Sequence, residues 1–169
     1  MSRELPTSLL MFIAQRYAEG RIYDGIRAAG FDDFTIAQGR LAAGIDPEGT
    51  RLTVLADRAR VAKQTATALV DNLERAGYVE RVPDPLDGRA RLVRITARGW
   101  EVIPVARANE QAVEQEWAAY LGPRRMRQLR EALELLRAVT DPYADDETPN
   151  PASRDATRGP RGWQSGSET

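Results

Sequence analysis

An amphipathic helix followed at once by two short alternating strands constrains this chain more than any other feature of its sequence. From Lys63 to Ala76, apolar residues recur at three- and four-residue spacing, which predicts a helix with a single buried stripe. Gly77 ends that helix. The stretch GYVERVPDPLDGRARLVRIT then alternates polar and apolar residues on both sides of a turn rich in proline, aspartate and glycine. The pattern predicts a β-hairpin that projects beyond the body of the fold.

Positive charge concentrates in this part of the chain. Ten basic and six acidic residues lie between Thr50 and Arg98, although the whole chain has a formal net charge of −1. A basic middle in a nearly neutral chain favours an anionic partner for the middle alone. A solvated surface with uneven charge is the alternative interpretation.

Apolar periodicity and helix-ending residues predict five further helices. They cover about Leu5–Ala29, Asp33–Ala43, Arg51–Arg60, Ala97–Tyr120 and 123–139. Thr50 is the predicted N-cap of the third helix in the chain, and Pro104 should bend the fifth. The last helix carries apolar residues on more than one face, so a partner chain is a good candidate to cover it.

Composition excludes several kinds of site. The chain contains no cysteine and no histidine, which removes disulfides, thiolate nucleophiles, the commonest general base and the commonest transition-metal ligand. We therefore expect no enzyme, no cofactor and no metal.

No stretch approaches a membrane span and no secretory leader is visible, so we expect a cytoplasmic protein without a membrane partner. Residues 141–169 contain no Ile, Leu, Val, Met or Phe and are predicted to form a flexible acidic, proline-rich tail after a single domain over 1–140.

The order of elements, with helices, a turn, a further helix and then an arginine-rich hairpin, is that of a winged helix-turn-helix. Lys63, Gln64, Thr65 and Thr67 lie at the leading end of the second helix of this motif, the end that reaches base edges in the major groove. Arg89 at the hairpin tip is suited to the minor groove, where negative potential is concentrated. Asp87 is expected to orient Arg89 through a charge-assisted hydrogen bond, to cap the turn, or both.

A longer stretch carries a family resemblance. RLTVLADRARVAKQTATALVDNLERAGYVERVPDPLDGRARLVRITARG resembles the DNA-binding core of the MarR (multiple antibiotic resistance regulator) family. The matching parts are VDNLERAGYVER, the DGR of the wing tip and RITARG, with flanking helices in the right order from Leu5 to Val139. Two residues depart from the family pattern: Ala62 replaces a frequent hydroxyl N-cap, and Ala68 replaces a frequent polar contact residue.

The resemblance implies a mainly α fold with a small β-wing. A winged helix-turn-helix lobe, about 33–98, would be flanked by dimerisation helices over about 5–29 and 97–139. It also implies a homodimer on a pseudo-palindromic double-stranded operator, acting most often as a repressor. A small lipophilic or aromatic effector would lodge between the dimer helices and the DNA-binding lobe.

Two sets of candidate site residues follow. The DNA-binding candidates are Arg51, Lys63, Gln64, Thr65, Thr67, Asn72, Asp87 and Arg89. The effector-binding candidates are the aromatic residues Phe12, Tyr17, Tyr23, Phe34 and Trp100, for each of which core packing is the alternative. Arg75 and Arg94 could instead pair with Glu74 or Asp71 at the surface. The competing function is a winged-helix protein-interaction module without sequence-specific DNA binding.

Overall fold

The computed structural model describes residues 4–141, which form six helices and a small antiparallel sheet. The helices are α1 (Thr7–Ala28), α2 (Ile36–Ala42), α3 (Leu52–Arg58), α4 (Lys63–Arg75), α5 (Ala97–Leu121) and α6 (Pro123–Thr140). The strands are β1 (Thr50–Arg51), β2 (Val79–Asp84) and β3 (Asp87–Ile95). The predicted fold class, mainly helical with a small β-wing, is confirmed.

The sheet has the strand order β1-β3-β2, with both pairs antiparallel. Asp84 pairs with Asp87, so a two-residue turn of Pro85 and Leu86 closes the hairpin. Strand β1 was not foreseen, because two residues are too few to display an alternating pattern. The prediction that Thr50 caps α3 is wrong: Thr50 lies in β1, and its hydroxyl donates to the Asp46 carboxylate at 3.0 Å.

The apolar stripe of α4 forms the centre of the core. Ala66, Val70 and Leu73 are completely buried, and Leu55 of α3 is buried to the same degree. The phenol of Tyr78, between α4 and β2, is also enclosed. Burying this stripe sets α4 across α2 and α3 and leaves its opposite face in solvent.

Capping residues define where α2 begins, three residues later than predicted. The Thr35 hydroxyl accepts a hydrogen bond from the Gln38 N–H at 3.3 Å, and the Gln38 side chain accepts one from the Thr35 N–H at 2.7 Å. This reciprocal capping box satisfies two backbone donors at the helix start. It places Asp33 and Phe34 in the segment before the helix.

Helices α1, α5 and α6 form the other half of the fold. Helix α5 continues through Pro104 without interruption to Leu121, and Gly122, with φ of +81°, separates it from α6. No residue of α6 is buried against the rest of residues 4–141. The same described range contains no helix that is both long and apolar enough to cross a bilayer. The tail predicted over 141–169 lies, apart from Asp141, outside the described residues.

Candidate nucleic-acid interface

The leading end of α4 is open to solvent. Lys63, Gln64 and Thr65 are exposed, and none of them has a side-chain partner among residues 4–141. Ala62 precedes them as the N-cap and supplies no side-chain hydrogen bond, as its methyl group requires. The first N–H groups of α4 and the side chains around them are therefore available to an external acceptor.

The two other α4 candidates are already engaged within the helix. The Thr67 hydroxyl donates to the Lys63 carbonyl at 2.9 Å. The Asn72 side-chain oxygen accepts from the Arg75 guanidinium at 2.9 Å. A contact between either side chain and an external partner would have to replace or extend these bonds.

A buried carboxylate organises the wing tip, and sequence reasoning missed it. Asp84 is 6% exposed and accepts hydrogen bonds from the Leu86 N–H at 2.9 Å and from the Arg51 Nε at 2.8 Å. The Leu86 N–H and the Arg51 guanidinium hold the pKa of Asp84 below its ordinary value. Arg51 also lies 3.7 Å from the Asp87 carboxylate. Arg51, a predicted DNA-binding residue, is thus held at the wing by two carboxylates. It does not extend into solvent from the start of α3.

Asp87 caps the wing turn. Its Oδ1 accepts a hydrogen bond from the backbone N–H of Arg89 at 3.1 Å, so of its two predicted roles the structure contains the capping one. The expected bond from Asp87 to the guanidinium of Arg89 is absent from the described residues. The side chains of Arg89 and Arg91 are exposed and have no ion-pair partner within residues 4–141.

Arg81 joins the wing to α4. Its guanidinium donates to Asp71 at 2.6 Å and to the carboxylate of Glu74, and its own N–H donates to Glu74 at 3.1 Å. The suggestion that Arg75 or Arg94 would pair with these two carboxylates is wrong. Arg75 bonds to Asn72, and Arg94 pairs across the hairpin with Glu80 at 2.8 Å. The partner of Asp71 and Glu74 is set by the sheet register, which brings Arg81 back onto α4.

A cavity of about 280 Å³ lies between α1, α2, the wing base and α5. Among the effector candidates, Tyr23 and Phe34 line it, with their rings stacked at a centroid distance of 6.1 Å. Burial raises the pKa of Tyr23 to about 12, so its phenol is neutral at physiological pH. Glu19, itself buried, accepts two hydrogen bonds of 2.6 Å from Arg40 at the same cavity. Sequence reasoning did not single out this pair.

The other three effector candidates lie outside this cavity. Phe12 is 55% exposed on α1, and Trp100 is 42% exposed at the start of α5. Tyr17 donates its hydroxyl to Glu116 at 2.5 Å, which ties α1 to α5. Residues 4–141 also contain no group of three acidic side chains arranged to hold a metal ion.

Comparisons with known proteins agree with this geometry. The sequence profile of the MarR family matches residues 32–90. Over 87 residues the chain is 36% identical to an HTH-type transcriptional regulator of Mycobacterium tuberculosis, covering 52% of this chain and 61% of that protein. It is also 36% identical over 86 residues to the transcriptional activatory protein BadR of Rhodopseudomonas palustris, covering 47% of this chain and 49% of that protein. The chain therefore spans between about half and three fifths of the length of these relatives.

Solved structures extend the likeness to most of the fold. The transcriptional regulator Tm0710 of Thermotoga maritima is 28% identical, with a TM-score of 0.60 and coverage of 80% of this chain and 94% of that one. A structure of MarR is 27% identical, with a TM-score of 0.66 and coverage of 80% and 97%. Sequence identity and shared architecture lead to the same assignment: residues 32–90 match the MarR family, and the fold around them is that of winged-helix MarR regulators.

Proposed function

We propose that this protein is a homodimeric transcriptional repressor that binds a pseudo-palindromic operator and is released by a small lipophilic or aromatic effector. The observation that carries the proposal is the exposed leading end of α4 beside a wing bearing the unpaired Arg89. Neither group stabilises the fold through a contact within residues 4–141. Both have the chemistry that DNA recognition requires.

The two DNA-facing elements would read different properties of a duplex. An α-helix fits the major groove, where Gln64 and Lys63 can bond to base edges and phosphates. Arg89, carried on the hairpin, gains from the negative potential of a narrow minor groove. The Arg81 clamp to α4 supports this division because it holds the wing at one angle to the helix.

Unburied apolar surface supports the homodimer. On α1, the side chains of Leu10, Phe12 and Ile13 are all more than half exposed. On α6, Leu133 and Leu136 are each 41% exposed. Apolar patches of this kind on two long helices are typical of an interface, and a second copy of the same helices would cover them. We accordingly assign residues 5–29 and 97–139 to dimerisation.

The cavity supports an effector site. Its volume of about 280 Å³ suits a small aromatic molecule, and its walls come from both α1 and α5 and the DNA-binding lobe. The charges of Glu19 and Arg40 neutralise each other, so this pair does not require a charged group on the ligand. A molecule that binds the free conformation more tightly than the DNA-bound one must weaken DNA binding by that difference in affinity.

The experiment is fluorescence anisotropy with an operator selected from a random duplex library and with a scrambled duplex, each at several salt concentrations. Arg89→Ala should weaken binding to both duplexes and lower the magnitude of the salt slope by about one unit per half-site. Gln64→Ala should cost about 1–3 kcal/mol on the operator and leave binding to the scrambled duplex nearly unchanged.

Each part of the proposal has its own contrary result. Unchanged affinity and salt slope in Arg89→Ala would contradict the wing assignment. Equal weakening of both duplexes by Gln64→Ala would contradict base readout by α4. A wild-type protein that binds no duplex in a salt-dependent way would favour the protein-interaction module. A reporter assay decides the sign of regulation, since the relative BadR is an activatory protein by name.

A further inference from the structure

The turn between α3 and α4 contains a left-handed arginine. Arg60 has φ of +52° and is the one non-glycine residue with positive φ in the described range 4–141. Its N–H donates to the Asp57 carbonyl at 3.1 Å, and the Val61 N–H donates to the Ala56 carbonyl at 3.0 Å. This pair of bonds is the Schellman arrangement, which ends a helix through a left-handed residue.

Two other helices of this chain end in the same way but with glycine. Gly30 follows α1 with φ of +97°, and its N–H donates to the Arg27 carbonyl at 3.0 Å. Gly77 follows α4 with φ of +80°, and its N–H donates to the Glu74 carbonyl at 3.0 Å. A β-carbon in this conformation lies too close to the backbone, which glycine avoids. At Arg60 the chain therefore carries a conformational cost that it avoids at two equivalent positions.

The arginine side chain does not offset this cost inside the fold. It is exposed, and residues 4–141 provide it with no hydrogen bond, ion pair or aromatic contact. Its position is three residues before Lys63, at the end of α4 that we assign to the major groove. Backbone strain retained at an exposed position next to a binding surface is a sign of function rather than of stability.

We propose that Arg60 binds a phosphate of the DNA backbone at the edge of the major groove. This inference rests on the proposed function and adds a residue that sequence patterns do not reveal. A phosphate contact from the turn before α4 would set the depth and register of the helix without reading sequence. The guanidinium, free of internal partners, is suited to bind two phosphate oxygens at once.

Three substitutions separate the charge of Arg60 from its backbone cost. Arg60→Gln removes the charge but keeps an ordinary side chain in the left-handed conformation. Arg60→Asn removes the charge and also relieves the cost, because asparagine tolerates this conformation. Arg60→Lys keeps both the charge and the cost.

The measurements are anisotropy with the selected operator in a salt series and thermal unfolding of the free protein. Arg60→Gln and Arg60→Asn should both weaken binding about three- to tenfold and lower the magnitude of the salt slope by about one unit per half-site. Arg60→Asn should also raise Tm by about 2–4 °C. Arg60→Lys should keep the wild-type Tm and salt slope, and it should weaken binding less than Arg60→Gln does, because the charge remains while the contact with two phosphate oxygens is lost.

Gly30→Gln is the matched control, since it places the same kind of side chain in the same helix-ending geometry away from α4. It should lower Tm and leave the salt slope unchanged. Wild-type affinity and slope in Arg60→Gln would overturn the phosphate contact while leaving the proposed function intact. A Tm for Arg60→Asn at or below the wild-type value would overturn the argument from conformational cost. A wild-type protein that does not bind DNA would overturn both this inference and the proposed function.

Discussion

At the scale of single residues, the side chains of Asp33, Tyr78 and Arg98 join three parts of the fold. The Tyr78 hydroxyl donates to Asp33, and Arg98 donates to the same carboxylate at 3.0 Å. The Arg98 guanidinium also lies 4.7 Å from the centre of the Tyr78 ring. Because these residues come from the segment before α2, the turn between α4 and β2, and the start of α5, the cluster links the winged-helix lobe to the long helices.

The cluster should make stability depend on pH in the acid range. The Tyr78 hydrogen bond is the largest cause that lowers the pKa of Asp33. A lowered pKa means that the unfolded chain binds this proton more tightly, so the stabilisation is present above the ordinary aspartate pKa of about 3.9 and is lost as pH falls through the lowered value. In Tyr78→Phe the pKa of Asp33 should rise toward the ordinary value, so the protein should be less stable at neutral pH and its stability should fall less steeply through the acid range.

Carbon-detected NMR titration of the Asp33 carboxyl measures this shift directly. Tyr120→Phe is the matched control, because Tyr120 is 90% exposed and should leave the titration unchanged. An Asp33 pKa that is the same in wild type and Tyr78→Phe would show that the hydroxyl does not stabilise the carboxylate.

At the scale of elements, the closeness of α1 and α2 depends on a glycine. A β-carbon at Gly39 would lie 1.5 Å from the Tyr23 hydroxyl oxygen and 2.7 Å from the adjoining ring carbon. Gly39→Ala should therefore push Tyr23 into the cavity and destabilise the fold by about 1–3 kcal/mol. Urea denaturation measures the change.

Two further variants test whether the contact with Tyr23 causes the loss of stability in Gly39→Ala. Gly20→Ala changes a helical glycine of α1 that has nothing within 4 Å, so it should stabilise the fold by about 0.5–1 kcal/mol. Adding Tyr23→Phe to Gly39→Ala removes the closest atom and should recover part of the loss. If the double variant loses as much as the two single variants together, the contact with Tyr23 is not the cause.

At the scale of the whole molecule, the uncovered apolar surface of α1 and α6 governs the proposed assembly. Replacing Leu133 and Leu136 together with aspartate should give monomers or insoluble protein, since four charges per dimer would be buried without partners. Multi-angle light scattering measures the mass. Leu86→Asp at the wing tip, where Leu86 is 94% exposed, is the control and should remain a dimer. A folded dimer of unaltered mass in the Leu133 and Leu136 variant would place the interface elsewhere.

The sequence by itself determined the order and approximate limits of the helices, because apolar periodicity and the glycines after α1 and α4 are local signals. It also determined that Lys63 and Gln64 stand at the exposed start of α4, since the buried stripe of that helix leaves one face to solvent. The family resemblance likewise came from local motifs in the helix and the wing.

Only the tertiary structure decided which polar groups meet. Asp84 accepts a bond from Arg51 across 33 residues, and Arg81 returns to Asp71 because the strand register places it there. The cavity walls, in which Tyr23 belongs but Phe12 does not, depend on how α1 lies against α2. The left-handed turn at Arg60 carries no sequence signal, because glycine marks the left-handed ends of α1 and α4 and arginine does not. These features depend on distances between segments far apart in the chain or on a backbone angle, and neither is encoded in the local pattern of apolar and polar residues.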